Sequence, residues 1–512
     1  MTSLDVDRVL GLAVRHCRDT QHPQGHWATD PDPRVTETAL ACFALSRLTD
    51  SRSTHAVDRA RSWLRASSPQ EHHAAAWLVE STLRSIALAE DEPVDLRAAV
   101  FEEEALSARG TLLHVIATCA GRHVLAPRSL DELTVAVRRR CAAQEKTKPW
   151  SRLELLAIHA LLQHRAGHLG AARQAVQAIA ARQDADGSCY GNPITTCLAF
   201  LAMDTVSPGT GGWTAAHDYL LTGQRADGTW RFCTSDVWDT TLTVRAYHGV
   251  PAFAAHCLPA AVDFLVTAQN PDGGWPFRRG VESDNDTTGA ALIALAGQRV
   301  PRGVVERAVA YLRAQQTEDG LWRTWQALRD PPTEDVVAHV RAALREHAPN
   351  LPVAQAGRWL ADRWHETGRW SAGWYRGLPY ATVEVGRAVD HHRVVRDAAR
   401  GLAATQNPDG GWPPEPGEDS LPSCTGLALA ALRLTGEPPD DRWWRGLDYL
   451  VRNQRSDGTW PGRPEMCGPR PLLTHFQTHT QAFVVTGLCA LGTVPEPRRA
   501  SGRRPSTSPV GK

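Results

Sequence analysis

Gln269-Asn270-Pro271-Asp272-Gly273-Gly274-Trp275 is the fullest copy of a heptapeptide that punctuates most of this 512-residue chain. Close copies are Gln224 to Trp230, Gln316 to Trp322, Gln406 to Trp412 and Gln454 to Trp460. Gln183 to Cys189 lacks the tryptophan, Trp364 to Trp370 is degenerate, and Gln21 to Trp27 is a worn copy near the start. From residue 183 onward, successive copies begin 41, 45, 47, 48, 42 and 48 residues apart. A period in this range signals an array of one supersecondary unit, here with room for two helices and their turns. Within each copy the glutamine ends a helix, Asp-Gly makes a tight turn with positive φ at glycine, and tryptophan covers the helix end. The indole face is expected to stack on a neighbouring glutamine amide. The repeats read as structural, and they hold eight of the 18 Trp, a number that stands beside 9 Phe and 7 Tyr.

The rest of the chain reads as helix. Residues 4–18 form an amphipathic pattern, and residues 34–170 carry apolar residues at helical spacing between Pro and Gly stops. No convincing alternating strand pattern occurs. Lys plus Arg and Asp plus Glu both number 56, which gives no electrostatic case for nucleic acid. The 11 cysteines form no CxxC pair, as expected of a reduced, cytoplasmic protein. The N-terminus lacks a signal-peptide pattern, and no apolar run is long enough to span a membrane. The Pro-, Ser- and Arg-rich end reads as a disordered tail.

Just after the fullest repeat comes Glu282-Ser283-Asp284-Asn285-Asp286-Thr287-Thr288-Gly289, followed by a small and apolar helical run. An acid at such a place usually caps the helix. Two acids two residues apart, set among the repeats, allow a second job. Both can be held in a dry site where burial and mutual repulsion keep a carboxyl group protonated.

The repeat resembles the QW motif (QxxDGxW) of the squalene-hopene cyclases and related class II terpene cyclases. Ser235-Asp236-Val237-Trp238-Asp239-Thr240-Thr241 is similar to that family's SPVWDT segment. Asp284 to Thr288 stands in the place of its DxDDT acid motif. Trp374-Tyr375-Arg376-Gly377-Leu378-Pro379-Tyr380 resembles the WH-SPYYAT segment of its bacterial diphosphate-retaining members. These signals fall in the family's order over about residues 180–490. The resemblance implies an all-α fold of two α/α barrels (a βγ architecture) with the active site between them. It places a β domain at 1–18 plus 257–495 and a γ domain at 19–256, leaving 496–512 as the tail. The resemblance also implies no third domain, and, consistent with that, no DDxxD or NSE-type metal motif is found.

The resemblance also implies chemistry. An alkene is a poor base, so protonating it needs a strong acid aimed at one carbon in a water-free site. Asp286 aligns with the family's donor and Asp284 with its partner. The third acid is replaced by Thr287. That DxDTT variant is associated with members forming a bicyclic drimane-type diphosphate from farnesyl diphosphate. The alternative is geranylgeranyl diphosphate, giving a copalyl- or halimadienyl-type product. Aromatic faces stabilise a migrating cation without capturing it, so Trp238, Trp374, Tyr375 and Tyr380 are candidate lining residues. Asp239, Thr287 and Thr288 complete the expected substrate-binding set. Arg376 is the favoured diphosphate ligand, ahead of Arg278 and Arg279. Mg²⁺ is the expected cofactor, bridging diphosphate oxygens with few protein ligands, among them Glu154. The expected partner is thus a small isoprenoid diphosphate, without nucleic acid or stable membrane insertion. Residues His475 and His479, at metal-like spacing, read as helix-face histidines. Rival readings are a prenyltransferase β-subunit, which needs an Asp/Cys/His zinc site, and a non-catalytic repeat scaffold.

Overall fold

In the computed structural model, residues 3–98, 104–142, 148–325 and 331–491 are described; the expected tail at 496–512 lies outside them. The described chain is helical, with two pairs of two-residue strands: Val94–Asp95 beside Val124–Leu125, and Met466–Cys467 beside Leu473–Thr474. The helices form two closed rings. In the first, Val35–Leu45, Ala74–Ala87, Glu104–Cys119, Pro149–Arg165 and Pro193–Val206 pack each on the next, and the last returns to the first. In the second, Asp236–Tyr247, Asn285–Leu295, Glu334–His347, Leu378–Ala388, Pro422–Arg433 and Gln477–Cys489 close in the same way. Ring closure, which periodicity alone left open, is thus a feature of both halves.

The inner helices of the second ring are sheathed in apolar side chains with no single dry face: every described residue of Gln477–Cys489 from Thr478 to Val485 is buried. The outer helices are amphipathic, as a helix between core and solvent must be. His392–Ala403, for example, buries Val394, Val395, Ala398, Ala399 and Leu402 along one stripe.

The repeats lie at the joints of the outer layer. In seven copies the Trp Nε1–H donates to the carbonyl ten residues earlier, near the end of the preceding outer helix, at 2.6–2.9 Å. The glutamine Nε2 donates to the carbonyl of the turn glycine. That glycine has φ between 70° and 91° in each case, a region closed to most side chains. In most copies the same amide also reaches the start of the next outer helix. Gln454 donates to Val9 O at 2.9 Å, and Gln21 to Cys257 O at 3.0 Å. These two bonds stitch Ser3–Thr20 into the outer layer of the second ring, and Val6, Val9, Ala13, Val14 and Cys17 join its core. Apart from Trp27, which joins the second core, and Leu472, which joins the first, core membership otherwise changes between Trp230 and Val237.

Candidate active site

The N-terminal ends of the second ring's inner helices gather the acids and aromatics picked out by sequence. Asp284 bridges to Trp275 and caps the helix Asn285–Leu295. Its carboxylate accepts from Thr287 N at 2.6 Å and Thr287 Oγ1 at 2.8 Å. Thr287, standing where a third acid was expected, therefore gives Asp284 a donor in place of a repelling charge. Thr288 Oγ1 donates to Asp284 O and accepts from Trp275 N, tying the repeat to the helix start. Both threonines, expected in the substrate-binding set, spend their hydroxyls on this joint. Asn285 is fixed by its amide to Arg323 O at 2.7 Å. The capping role that an acid here would ordinarily take belongs to Asp284, which leaves Asp286 for something else.

Asp286 lies in the first helical turn and is 5 % exposed. Its Oδ1 meets His339 Nδ1 at 2.6 Å, and His339 Nε2 meets Glu384 Oε2 at 2.8 Å. Glu384 is held in turn by Arg245 and by Arg387 Nη1 at 3.0 Å. Neither His339 nor Glu384 was found by sequence reading. Each is a charged or polar residue within a short apolar run, such as Val336-Val337-Ala338-His339-Val340, and that interruption was the available signal.

The charges follow from the surroundings. Burial opposes ionisation of Glu384, but Arg245, Arg387 and His339 outweigh it and hold the carboxyl well below its usual range. Burial likewise opposes charge on His339, yet Asp286 and Glu384 pull the imidazole up to about 9. His339 is then an imidazolium with an N–H aimed at each carboxyl group. Burial raises Asp286 above its ordinary value in spite of His339. Asp284 is pushed up well above by burial and by the neighbouring Asp286. Burial thus favours the neutral form of Asp286, whose Oδ1 faces the His339 imidazole, while its Oδ2 has no hydrogen-bond partner among the described residues. The carboxylate left after donation would be met by His339 and by the positive end of its own helix. Behind the chain, a cavity of about 390 Å³ is lined by residues including Arg245, His339, Glu384 and Arg387.

The spacing between acid and imidazolium is set by backbone. A Cβ built on Gly289 would come within 2.9 Å of His339 C and Val340 N. Gly289→Ala is expected to push the two helices apart and lower kcat on the order of 100-fold, the scale of a misplaced catalytic group. Steady-state kinetics beside a thermal melt would check this, since the fold should survive.

Aromatic rings surround the acid. The Trp238 ring centre is 6.1 Å from that of His339, and Tyr375 stacks 4.3 Å from Tyr380, with Phe483 against both. Trp374 meets Trp325 edge-on, with Arg470 over its face at 4.7 Å, and Lys148 lies over Trp325 at 4.3 Å. Several buried polar atoms here lack a partner among the described residues: Tyr380 OH, Asn285 Oδ1, Trp325 Nε1, Asp335 Oδ1 and both oxygens of Glu282. Burial lifts the Glu282 carboxyl to about 7. Buried polar groups are rarely left so, and a cluster of them marks a place where a ligand is missing.

Other expected residues are engaged elsewhere. Arg376 pairs with Glu418, Arg279 with Asp236 at 2.7 Å, and Arg278 Nη1 donates to Tyr190 O at 3.0 Å. All three are engaged with these partners; the cations Lys148 and Arg470, missed by sequence reading, lie over the faces of Trp325 and Trp374. Asp239 is wholly buried and accepts from Ser235 Oγ and Thr29 N. Glu154 accepts from Thr195 Oγ1 at 3.0 Å, and burial raises its carboxyl against the pull of Arg109. His475 and His479 are both buried, His479 on the inner helix Gln477–Cys489 and His475 just before it. The first pairs with Asp32, the second with Asp239, so they share no metal. Among the described residues no group of three or more His, Cys, Asp and Glu side chains could hold a metal ion. A magnesium ion would fit only as a passenger on phosphate oxygens, with Glu282 or Glu154 as a partial ligand.

Fold and site together define the two-barrel, all-α architecture of the terpene cyclases. The profile of the squalene-hopene cyclase C-terminal domain matches residues 193–326 and 324–493. The chain belongs to that family. It is 33 % identical over 368 residues to a drimenyl diphosphate synthase of Streptantibioticus cattleyicolor, which covers 67 % of this chain and 62 % of that protein. It is 30 % identical to a drimenyl diphosphate synthase of Streptomyces showdoensis, covering 69 % of each. The solved ent-copalyl diphosphate synthase from Streptomyces platensis shares the fold, with a TM-score of 0.64 at 18 % identity over 96 % of this chain and 100 % of that one. No helix among the described residues is long and apolar enough to cross a membrane.

Proposed function

We propose that this chain is a class II terpene cyclase that converts farnesyl diphosphate to a bicyclic drimane-type diphosphate, keeping the diphosphate. The observation that carries the reading is the Asp286–His339–Glu384 chain: a carboxyl kept neutral by burial, joined to an imidazolium that will stabilise its anion. Asp286 donates its Oδ2 proton to the terminal double bond. Trp238, Tyr375, Tyr380 and Phe483 present faces to the cation as the rings close. After turnover Asp286 regains its proton through His339, which lines the cavity behind it. Lys148 and Arg470, beside Trp325 and Trp374, hold the diphosphate away from the acid. Magnesium, bound to that diphosphate, would supply countercharge to its oxygens. The drimane assignment draws on the similarity to two drimenyl diphosphate synthases.

Incubation with 15-carbon and 20-carbon prenyl diphosphates, followed by dephosphorylation and gas chromatography, tests the reading. A bicyclic product from the 15-carbon substrate is expected. A product from geranylgeranyl diphosphate alone would move the assignment to the diterpene alternative.

The pH profile has a definite sign. Only protonated Asp286 can act, and burial raises its pKa, so kcat should hold above the usual carboxylate range and then fall as pH rises through the raised value. A rate that climbs over that interval would point to a carboxylate acting as base.

A further inference from the structure

The cyclisation proposed above begins with a proton given and must end with one taken, and Asp286 does not account for the second step. Beside it runs another hydrogen-bonded chain. Asp239 Oδ1 meets His479 Nε2 at 2.9 Å, His479 Nδ1 meets Tyr375 OH at 3.0 Å, and Trp238 Nε1 meets the same hydroxyl at 2.7 Å. All four side chains are buried.

One role in this chain is forced by chemistry, and the others follow from it once a tautomer is chosen. An indole N–H can only donate, so the Tyr375 oxygen accepts from Trp238. In the tautomer with the hydrogen on Nε2, His479 donates to Asp239 Oδ1. In the neutral ring Nδ1 is then an acceptor, and Tyr375 O–H donates to it. One lone pair of the Tyr375 oxygen is left without a partner. Ser235 Oγ and Thr29 N hold Asp239 from its other sides. The chain joins two neighbouring inner helices, Asp236–Tyr247 and Gln477–Cys489, to the segment just before Leu378–Ala388, on the wall that carries the acid.

We infer that Tyr375 is the proton acceptor that terminates the reaction, with His479 and Asp239 as the positioning residues that relay its proton away. This rests on the cyclase reading. The C–H bond next to the cationic carbon breaks, and its electron pair becomes the new double bond. The proton goes to the free lone pair of the Tyr375 oxygen. The phenolic proton passes to His479 Nδ1, and the imidazolium is stabilised by Asp239. His479 later returns that proton to solvent, balancing the one Asp286 takes up.

A neutral phenol suffices because a C–H bond beside a carbocation is an extremely strong acid. It is also suited, because burial holds the Tyr375 phenol well above its ordinary pKa, so no standing phenolate is present to capture the cation.

The test uses the full-length chain and farnesyl diphosphate, with Tyr375→Phe and His479→Asn compared with wild type and Asp286→Asn. Both relay variants should still consume substrate, with rates lowered by roughly tenfold. Their products should shift from one bicyclic alkene to water-captured alcohol or to alkenes with a displaced double bond. If Tyr375→Phe does not fold, His479→Asn carries the same product test. An unchanged product ratio in either folded variant overturns the relay. Loss of all substrate consumption in a folded variant also overturns it, since initiation would then be what was lost. Failure of the cyclase reading is a separate result: Asp286→Asn would consume substrate as fast as wild type.

Discussion

Asp286→Asn is expected to abolish cyclisation while leaving the fold intact. Asparagine keeps the size of the side chain and still offers an oxygen to His339 Nδ1, so the 2.6 Å contact and the packing survive. What it lacks is a transferable proton. General acid catalysis is ordinarily worth about 10²–10⁴-fold, and here no other group is placed to start the reaction, so the loss should reach at least about 10⁴-fold. Product quantitation at long incubation times, beside circular dichroism and a melting curve, would measure it. Residual turnover within about tenfold of wild type would sink the assignment of the acid.

Glu384→Gln is expected to have the largest effect on stability. Glu384 is 6 % exposed and faces Arg245, Arg387 and His339. Its removal as an anion leaves a cluster of buried positive charge without its counter-ion. Breaking a buried pair in this way costs about 3–5 kcal/mol. The variant should unfold at visibly lower denaturant. It should also be slow at a temperature where it is folded, because His339 loses one of the two carboxylates that hold its proton. Its apparent imidazole pKa, read by NMR, should fall. A variant of wild-type stability would mean that the carboxyl group is neutral in the native protein and that the charge assignment along the chain is wrong.

These two residues mark the limit of what local sequence can tell. Asp286 was legible because its setting is contiguous: two acids, a threonine pair and a small-residue helix in a row. The repeats were legible for the same reason, since glutamine, glycine and tryptophan act within seven residues of one another. His339 lies 53 residues beyond Asp286 and Glu384 a further 45 beyond His339, and they meet only because three inner helices are neighbours in a closed ring. No short pattern encodes that. Arg376 shows the converse. Next to a recognisable motif it looked available, but Glu418, 42 residues further on, had already claimed it. Lys148 and Arg470 were overlooked because their neighbours are tryptophans brought in from other parts of the chain. The N-terminal helix was assigned to the second ring only through the family resemblance; no local pattern announces the bonds that Gln454 and Gln21 make around it.

The bare helix crossing at Gly289 carries a consequence for how the protein meets heat. With backbone against backbone, no flexible side chain is present to absorb a widening of the ring, so thermal expansion is passed directly to the shortest bond of the acid. Catalysis should therefore fade some degrees before the helices melt, and the upper temperature limit of the reaction would be fixed by a gap one methyl group wide rather than by the strength of the fold.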